Sequence, residues 1–358
     1  MKKRDFIRMV GLGAVGITIG TPLLSGCRSL QRVPEMPVWV WMSARGDSPR
    51  QWKNKFRELA RLGVSGILMQ ASEEQYPEMA SLAKSAGLEI HAWIVVLNHR
   101  NRETMEKHPE WFTVSRDGRS TVEHQPYVEY YSWLCPSRAE VREFIAERVK
   151  RLAMMDNLDG VHLDYIRHSD VILPIGLWSK YDLVQDKEYP EFDFCYCDVC
   201  REQFKKEEGI DPMDIEDPSG HQAWLQFRYD SVTRLVNELA QVTRDRQKKL
   251  TAAVFPTPEI ARKLVRQEWL KWNLDAVYPM IYHNFYEKDI AWIETATREG
   301  TRGLNGRIPL YSGLFIPVLT PDNIAQAVQY AMDGGAAGVT FFNERAMNRK
   351  FWRNIVKP

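Results

Sequence analysis

Eight short apolar runs, separated by stretches whose apolar residues recur at helical spacing, constrain this chain more than any other feature. They fall at 38–42 (V-W-V-W-M), 64–69 (V-S-G-I-L-M), 88–97, 158–165, 250–255 (L-T-A-A-V-F), 276–282, 308–314 and 338–343 (G-V-T-F-F-N). Helical periodicity is clearest over 51–62, near 76–86 and over 139–155. Strands that alternate with helices pair in parallel beneath them, and eight such units over roughly 250 residues plus insertions are what a (β/α)8 TIM barrel requires. The barrel is therefore expected over 38–358. An open doubly wound sheet is the competing architecture, but no G-x-G-x-x-G follows the first strand, and no motif asks for an organic cofactor. Two connections exceed the usual few residues, 98–136 after the third strand and 168 to about 220 after the fourth. Both leave strand C-termini, the face on which such barrels build their sites.

The residues before 38 stand apart. Met1-Lys2-Lys3-Arg4 is a basic start, 9–24 is an apolar run broken by glycines, and L-S-G-C closes it with small residues before Cys27. This order resembles a bacterial lipoprotein signal. The resemblance implies cleavage before Cys27, diacylation of its thiol, and an exported lipoprotein anchored in the membrane at the periplasmic or cell surface, with 28–37 as tether. An uncleaved membrane helix is the alternative. K-R-D-F-I-R is also similar to a twin-arginine signal, with Lys3 where the first arginine should stand. Over the whole chain 48 basic side chains balance 47 acidic ones, so the charge offers no reason to expect a nucleic-acid partner. The 12 Trp and 14 Tyr supply flat faces on which sugars stack, and which serve plain packing equally well.

The fourth run, L-D-G-V-H-L-D-Y-I-R (158–167), ends on charge where a turn is expected. Alternate residues of a strand share a face, so His162 and Asp164 point together and Asp164 reaches the C-terminal rim. A carboxylate there can act as nucleophile, as general base, or as stabiliser of an oxocarbenium-like transition state. Arg167 can hold it ionised by charge pairing, or the two can form an ion pair that fixes the loop. Together with H-P-E-W-F-T-V (108–114), S-R-D-G-R (115–119) and W-L-C-P-S-R-A-E-V-R (133–142), this stretch resembles the glycosyl-hydrolase-like barrels of family 10 and their relatives. The resemblance implies a TIM barrel that binds or cleaves carbohydrate. The fourth run is also similar to the D-G-x-x-x-D-x-E strand of chitinase-like barrels, but Ile166 stands where those enzymes carry their catalytic glutamate.

Glycoside hydrolysis commonly needs a second carboxyl group about 5 to 9 Å from the first. Glu344, just beyond the eighth run, is the first candidate, and a helix-terminal glutamate beside the cap Asn343 is its structural alternative. Glu73, Glu123 and Glu129 are others. Arg45, Gln70, Asn98, His99, His162, Tyr165, Arg167, Tyr282, His283 and Asn343 fall at or near strand ends and carry the donors and acceptors that hydroxyl-rich ligands require. For His162, deeper in its strand, a satisfied core histidine is the competing reading. Trp41, Trp93 and Trp178 are candidate stacking faces.

Cys135 and the cluster Cys195, Cys197 and Cys200 give a separate signal. One upstream cysteine followed by C-x-C-x-x-C resembles the structural zinc site of family-42 β-galactosidases, which implies a closed tetrahedral zinc stapling the two insertions together. Outside the cytoplasm the same four cysteines can instead form two disulfides. The sequence thus points to a glycoside hydrolase with Asp164 as principal carboxylate, and alternatively to a carbohydrate-binding lipoprotein that kept the cleft.

Overall fold

The computed structural model describes residues 36–44 and 48–355. Cys27 and Arg45 lie outside the described residues, as do the signal sequence and most of the tether. The eight runs form parallel strands: β1 (Val38–Ser43), β2 (Val64–Gln70), β3 (Glu89–Val95), β4 (Gly160–Asp164), β5 (Lys249–Val254), β6 (Ala276–Pro279), β7 (Tyr311–Phe315) and β8 (Gly338–Phe342). Their order is β6-β5-β4-β3-β2-β1-β8-β7, and parallel bridges Val277–Leu310 and Met280–Gly313 join β6 to β7. The result is a nearly closed (β/α)8 barrel with helices between its strands. Those helices are α1 (Pro49–Arg61), α2 (Tyr76–Ser85), α3 (Arg102–Lys107), α4 (Ala139–Ala153), α5 (Asp198–Glu208), α6 (Gln222–Arg244), α7 (Pro258–Val265), α8 (Trp292–Leu304), α9 (Ile324–Asp333) and α10 (Arg349–Ile355). Ser48 caps α1 reciprocally with Gln51, and Pro49 occupies its first turn, where a missing N–H costs nothing. Among the described residues no helix is long and apolar enough to cross a membrane.

Strand alternation divides the core in two. In β1, Val38, Val40 and Met42 pack outward under the helices, while Trp39 and Trp41 enter the lumen. Such large rings fit because facing positions are small. A Cβ on Gly66 would come within 2.4 Å of the Trp39 ring, and one on Gly313 within 3.1 Å of Trp41. Tyr278 meets Trp39 edge-on at 5.6 Å and stacks on Tyr311 at 4.9 Å, so aromatic layers fill the barrel.

One polar chain threads these layers. Trp41 Nε1 donates to His162 Nε2 at 3.1 Å, which leaves the His162 proton on Nδ1, 2.9 Å from Thr251 Oγ1. Thr251 then donates to His91 Nδ1 at 3.1 Å, and His91 Nε2 donates to Glu89 Oε1 at 2.9 Å. Lys249 completes the chain on Glu89 at 2.7 Å. Every buried member is satisfied, as buried polar groups in native folds usually are.

Two wholly buried histidines couple the fold to pH. Burial holds His162 well below its usual range, and burial with the charges of Arg228 and Arg266 holds His168 at about 3. The unfolded chain binds protons on both below about pH 6.5 while the fold does not, so stability rises with pH and levels off above about 7. Denaturant titrations should show the unfolding free energy falling by about 1.4 kcal/mol per pH unit for each such histidine as pH drops below 6. A flat profile between pH 4 and 6.5 would contradict their burial as neutral groups.

Candidate functional site

The connections after β3 (96–138) and β4 (165–221) rise on the C-terminal face and lock together. Tyr127 of the first donates to the Asp170 carbonyl of the second at 2.9 Å and accepts from Gln185 at 2.8 Å. Between them and the strand ends lies a cleft of about 750 Å³. Its wall is dominated by rings, among them Trp41, Trp93, Tyr130, Tyr131, Tyr165, Phe255, Tyr282 and Phe342. Two carboxylates line it, Asp164 and Asp170.

Asp164 closes β4 with its side chain in the lumen face and only 8% of the residue exposed. Its Oδ2 accepts from Trp93 Nε1 at 2.9 Å and its Oδ1 from the Tyr165 backbone N–H at 2.7 Å. Tyr165 holds this geometry in the left-handed region, φ 52°, a conformation that costs a non-glycine residue about 1 kcal/mol. Burial pushes the Asp164 carboxyl up, and the two hydrogen bonds and the field of Arg167 only partly offset it. The expectation that Arg167 pairs with Asp164 and holds it ionised is thus corrected, since its field lowers the carboxyl pKa but burial prevails. The guanidinium instead binds Asp170 Oδ2 at 2.9 Å and the His168 carbonyl at 2.9 Å, and lies over the rings of Trp133, Tyr165 and Phe255.

Gln70, Asn98, Asp164, Tyr165, Arg167 and Tyr282 line the cleft together, as do Trp41 and Trp93. The remaining candidates are placed elsewhere. His162 is wholly buried beneath Trp41 as a satisfied core histidine. His99 turns to Thr104 Oγ1 at 3.0 Å and lines a separate hollow of about 310 Å³ with Glu73, Arg148 and Arg151. His283 and Asn343 sit at 3-10 turns beyond β6 and β8, outside the cleft lining. Glu344 is also outside it and binds Lys55 at 2.8 Å. Glu73 pairs with Arg151 at 3.0 Å, Glu123 and Glu129 are exposed, and Trp178 Nε1 is taken by the Leu173 carbonyl. Asp170, Arg100, Lys180 and the tyrosines at 127, 130 and 131 line the cleft without having been singled out by pattern. The aromatic density of P-Y-V-E-Y-Y-S-W (126–133) was the available signal for the last three.

Outside the cleft lining, Cys135, Cys195, Cys197 and Cys200 form a buried cluster with all four sulfurs within 4.8 Å of one another. Cys135 Sγ lies 3.5 Å from Cys200 and 3.7 Å from Cys197. A tetrahedral site with zinc–sulfur bonds of about 2.3 Å has edges of about 3.8 Å, whereas a disulfide needs about 2.05 Å. The donor set therefore fits a four-thiolate metal site, and Arg138 beside it supplies positive charge.

Residues 47–172 match the family model glycosyl hydrolase-like 10. The matched stretch runs through β4 and both the carboxylates of the cleft. Among solved structures, the chain is similar to the glycoside hydrolase domain of PgaB (BpsB) from Bordetella bronchiseptica, 13% identical, TM-score 0.64, covering 87% of this chain and 95% of that one. It is similar to the β-galactosidase of the psychrophilic Marinomonas ef1, 12% identical, TM-score 0.63, covering 89% of this chain and 58% of that one. The β-galactosidase of Halorubrum lacusprofundi is 15% identical, TM-score 0.63, with coverage of 89% and 57%. The chain thus spans somewhat over half the length of these two β-galactosidases, and at such identities it is the barrel that is shared. No curated protein matches the chain by sequence.

The Arg167–Asp170 ion pair in the cleft wall is nearly buried, with Arg167 6% and Asp170 2% exposed. Asp170→Asn leaves the guanidinium buried without its counter-ion and should destabilise the fold by about 3 kcal/mol, read from chemical denaturation.

Proposed function

We propose that the protein is a glycoside hydrolase in which Asp164 serves as general acid. The observation that carries this reading is a carboxyl group raised by burial at the end of β4, on the floor of a ring-lined cleft. A raised pKa favours the protonated form, which can hand its proton to the departing glycosidic oxygen, the role in which glycosidases place such carboxyls. The match to the glycosyl hydrolase-like family over 47–172 and the shared barrel of glycosidase structures support the same class. Asp170, the other acid of the cleft, is bound to Arg167 and acts in this reading by fixing the guanidinium rather than by exchanging protons.

Two variants test the assignment. Asp164→Asn should lower release of reducing ends from a polysaccharide panel by about a thousandfold while the melting profile is retained. The active form is protonated, so the rate should fall as pH rises through the Asp164 pKa. Trp93 donates to the ionised form, and Trp93→Phe should therefore move that basic limb to higher pH. An unmoved limb would remove Asp164 from the acid role.

One observation favours a second reading. With Glu344 bound to Lys55 and Asp170 bound to Arg167, the cleft holds, among the described residues, a single carboxylate free of an ion pair, as expected of a binding protein that retained the barrel and lost turnover. Glycan binding without reducing ends from the wild-type protein selects it.

We further propose that the four-cysteine cluster holds structural zinc and that the chain is an exported lipoprotein anchored at Cys27 in the cell envelope, its substrate an envelope or extracellular glycan. The sulfur spacing supports the first part and the L-S-G-C stretch the second. Metal analysis should return one zinc per chain, and denatured, chelator-treated protein without reductant should titrate all four thiols. Two disulfides would return none. Cys200→Ser should lose the metal and loosen the joint between the two connections.

A further inference from the structure

The charges of the cleft do not cancel. Of its two carboxylates, Asp170 is bound to Arg167, and Asp164 is pushed towards its neutral form by burial. Two further cations line the cleft, Arg100 from the connection after β3 and Lys180 from the connection after β4. Both are exposed, and neither has a carboxylate partner among the described residues. Each lies against a ring instead, Arg100 5.6 Å from the centre of Tyr130 and Lys180 5.1 Å from that of Tyr181. Tyr130 stands in the field of both and, at 40% exposed, offers an open aromatic ring at the mouth. Among the described residues the cleft lining thus carries two cations without a carboxylate partner, in a chain whose net charge is only +1.

We propose that the cleft selects glycans carrying anionic groups, with Arg100 and Lys180 meeting the anions on either side of the ring platform. This rests on the carbohydrate reading above and adds the substrate class to it. A ring face binds a pyranose through its C–H surface whatever its substituents, so rings alone do not separate neutral from acidic sugars. Two cations on separate connections do, because they reward charge at two points along the ligand. Arg100 presents a planar fork suited to a carboxylate, and Lys180 a single mobile charge. Both are solvated, so the gain per contact is that of a surface pair, up to about fivefold, and for the two together about tenfold.

The test is affinity electrophoresis of the full chain through polygalacturonate and hyaluronan, each beside its carboxyl-reduced form, and through dextran sulfate beside dextran. The charged member of at least one pair should retard the protein about tenfold more strongly, less so at high salt. The double variant Arg100→Gln/Lys180→Gln should bring that ratio to about one. Preference in the carboxylate pairs alone identifies the anion as a carboxylate, and preference in the dextran pair as well extends it to sulfate esters. Equal retention of both members of every pair, including none of either, overturns the inference, as does a preference that survives the double variant. Reducing-end release from the polysaccharide panel reports separately on the hydrolase reading, so neutral glycans cut without charge preference would leave that reading standing and remove this one.

Discussion

A closed eight-stranded barrel has a lumen that side chains must fill, and here the filling is aromatic. Trp39, Trp41, Tyr278 and Tyr311 occupy volume that Gly66 and Gly313 leave free. Aliphatic layers would fill the same space without polar atoms. These rings bring N–H groups that must be satisfied, and the histidine–threonine–histidine chain from Trp41 down to Glu89 answers part of that demand. The same packing sets the chemistry of the rim. Trp93 and Phe342 close the top layer around Asp164, and their bulk withdraws the carboxyl from water and raises its pKa.

The cleft is built by elements that carry little regular structure. The connections after β3 and β4 contribute most of its outer rings, and they hold one another through Tyr127, which meets Gln185 and the Asp170 carbonyl, and through Arg167, which meets the Tyr131 hydroxyl. The cysteine cluster brings them together at a second point, since Cys135 belongs to the first and the other three cysteines to the second. Long loops lose much conformational entropy on folding, and contacts between the two connections offset part of that cost. A rigid wall of rings on a rigid barrel then presents Asp164 to whatever enters.

The strands were legible because short apolar runs stand out against the helical periodicity between them, and all eight runs became strands with ends shifted by a few residues. The position of Asp164 was legible for the same reason, as alternation along β4 places it beside the lumen whatever the loops do. Its partner was not. Arg167 lies three residues away in sequence, yet the chain turns at Tyr165, and Asp170 meets the guanidinium first. Glu344 sits at the right strand end, but Lys55 of α1 takes its carboxylate. His99 likewise follows β3 and still faces away from the cleft, because parity decides which side of a strand end a residue takes.

The amino-acid pattern by itself determined the barrel, the placement of its two large connections on the functional face, the carboxylate at the end of β4 and the set of four cysteines. These are local or periodic properties, written in spacing and residue type. The tertiary structure decided which charges pair, which acid stays free, and how close the four sulfurs come. Those outcomes depend on distances between segments far apart in the chain, and a sequence carries no distances.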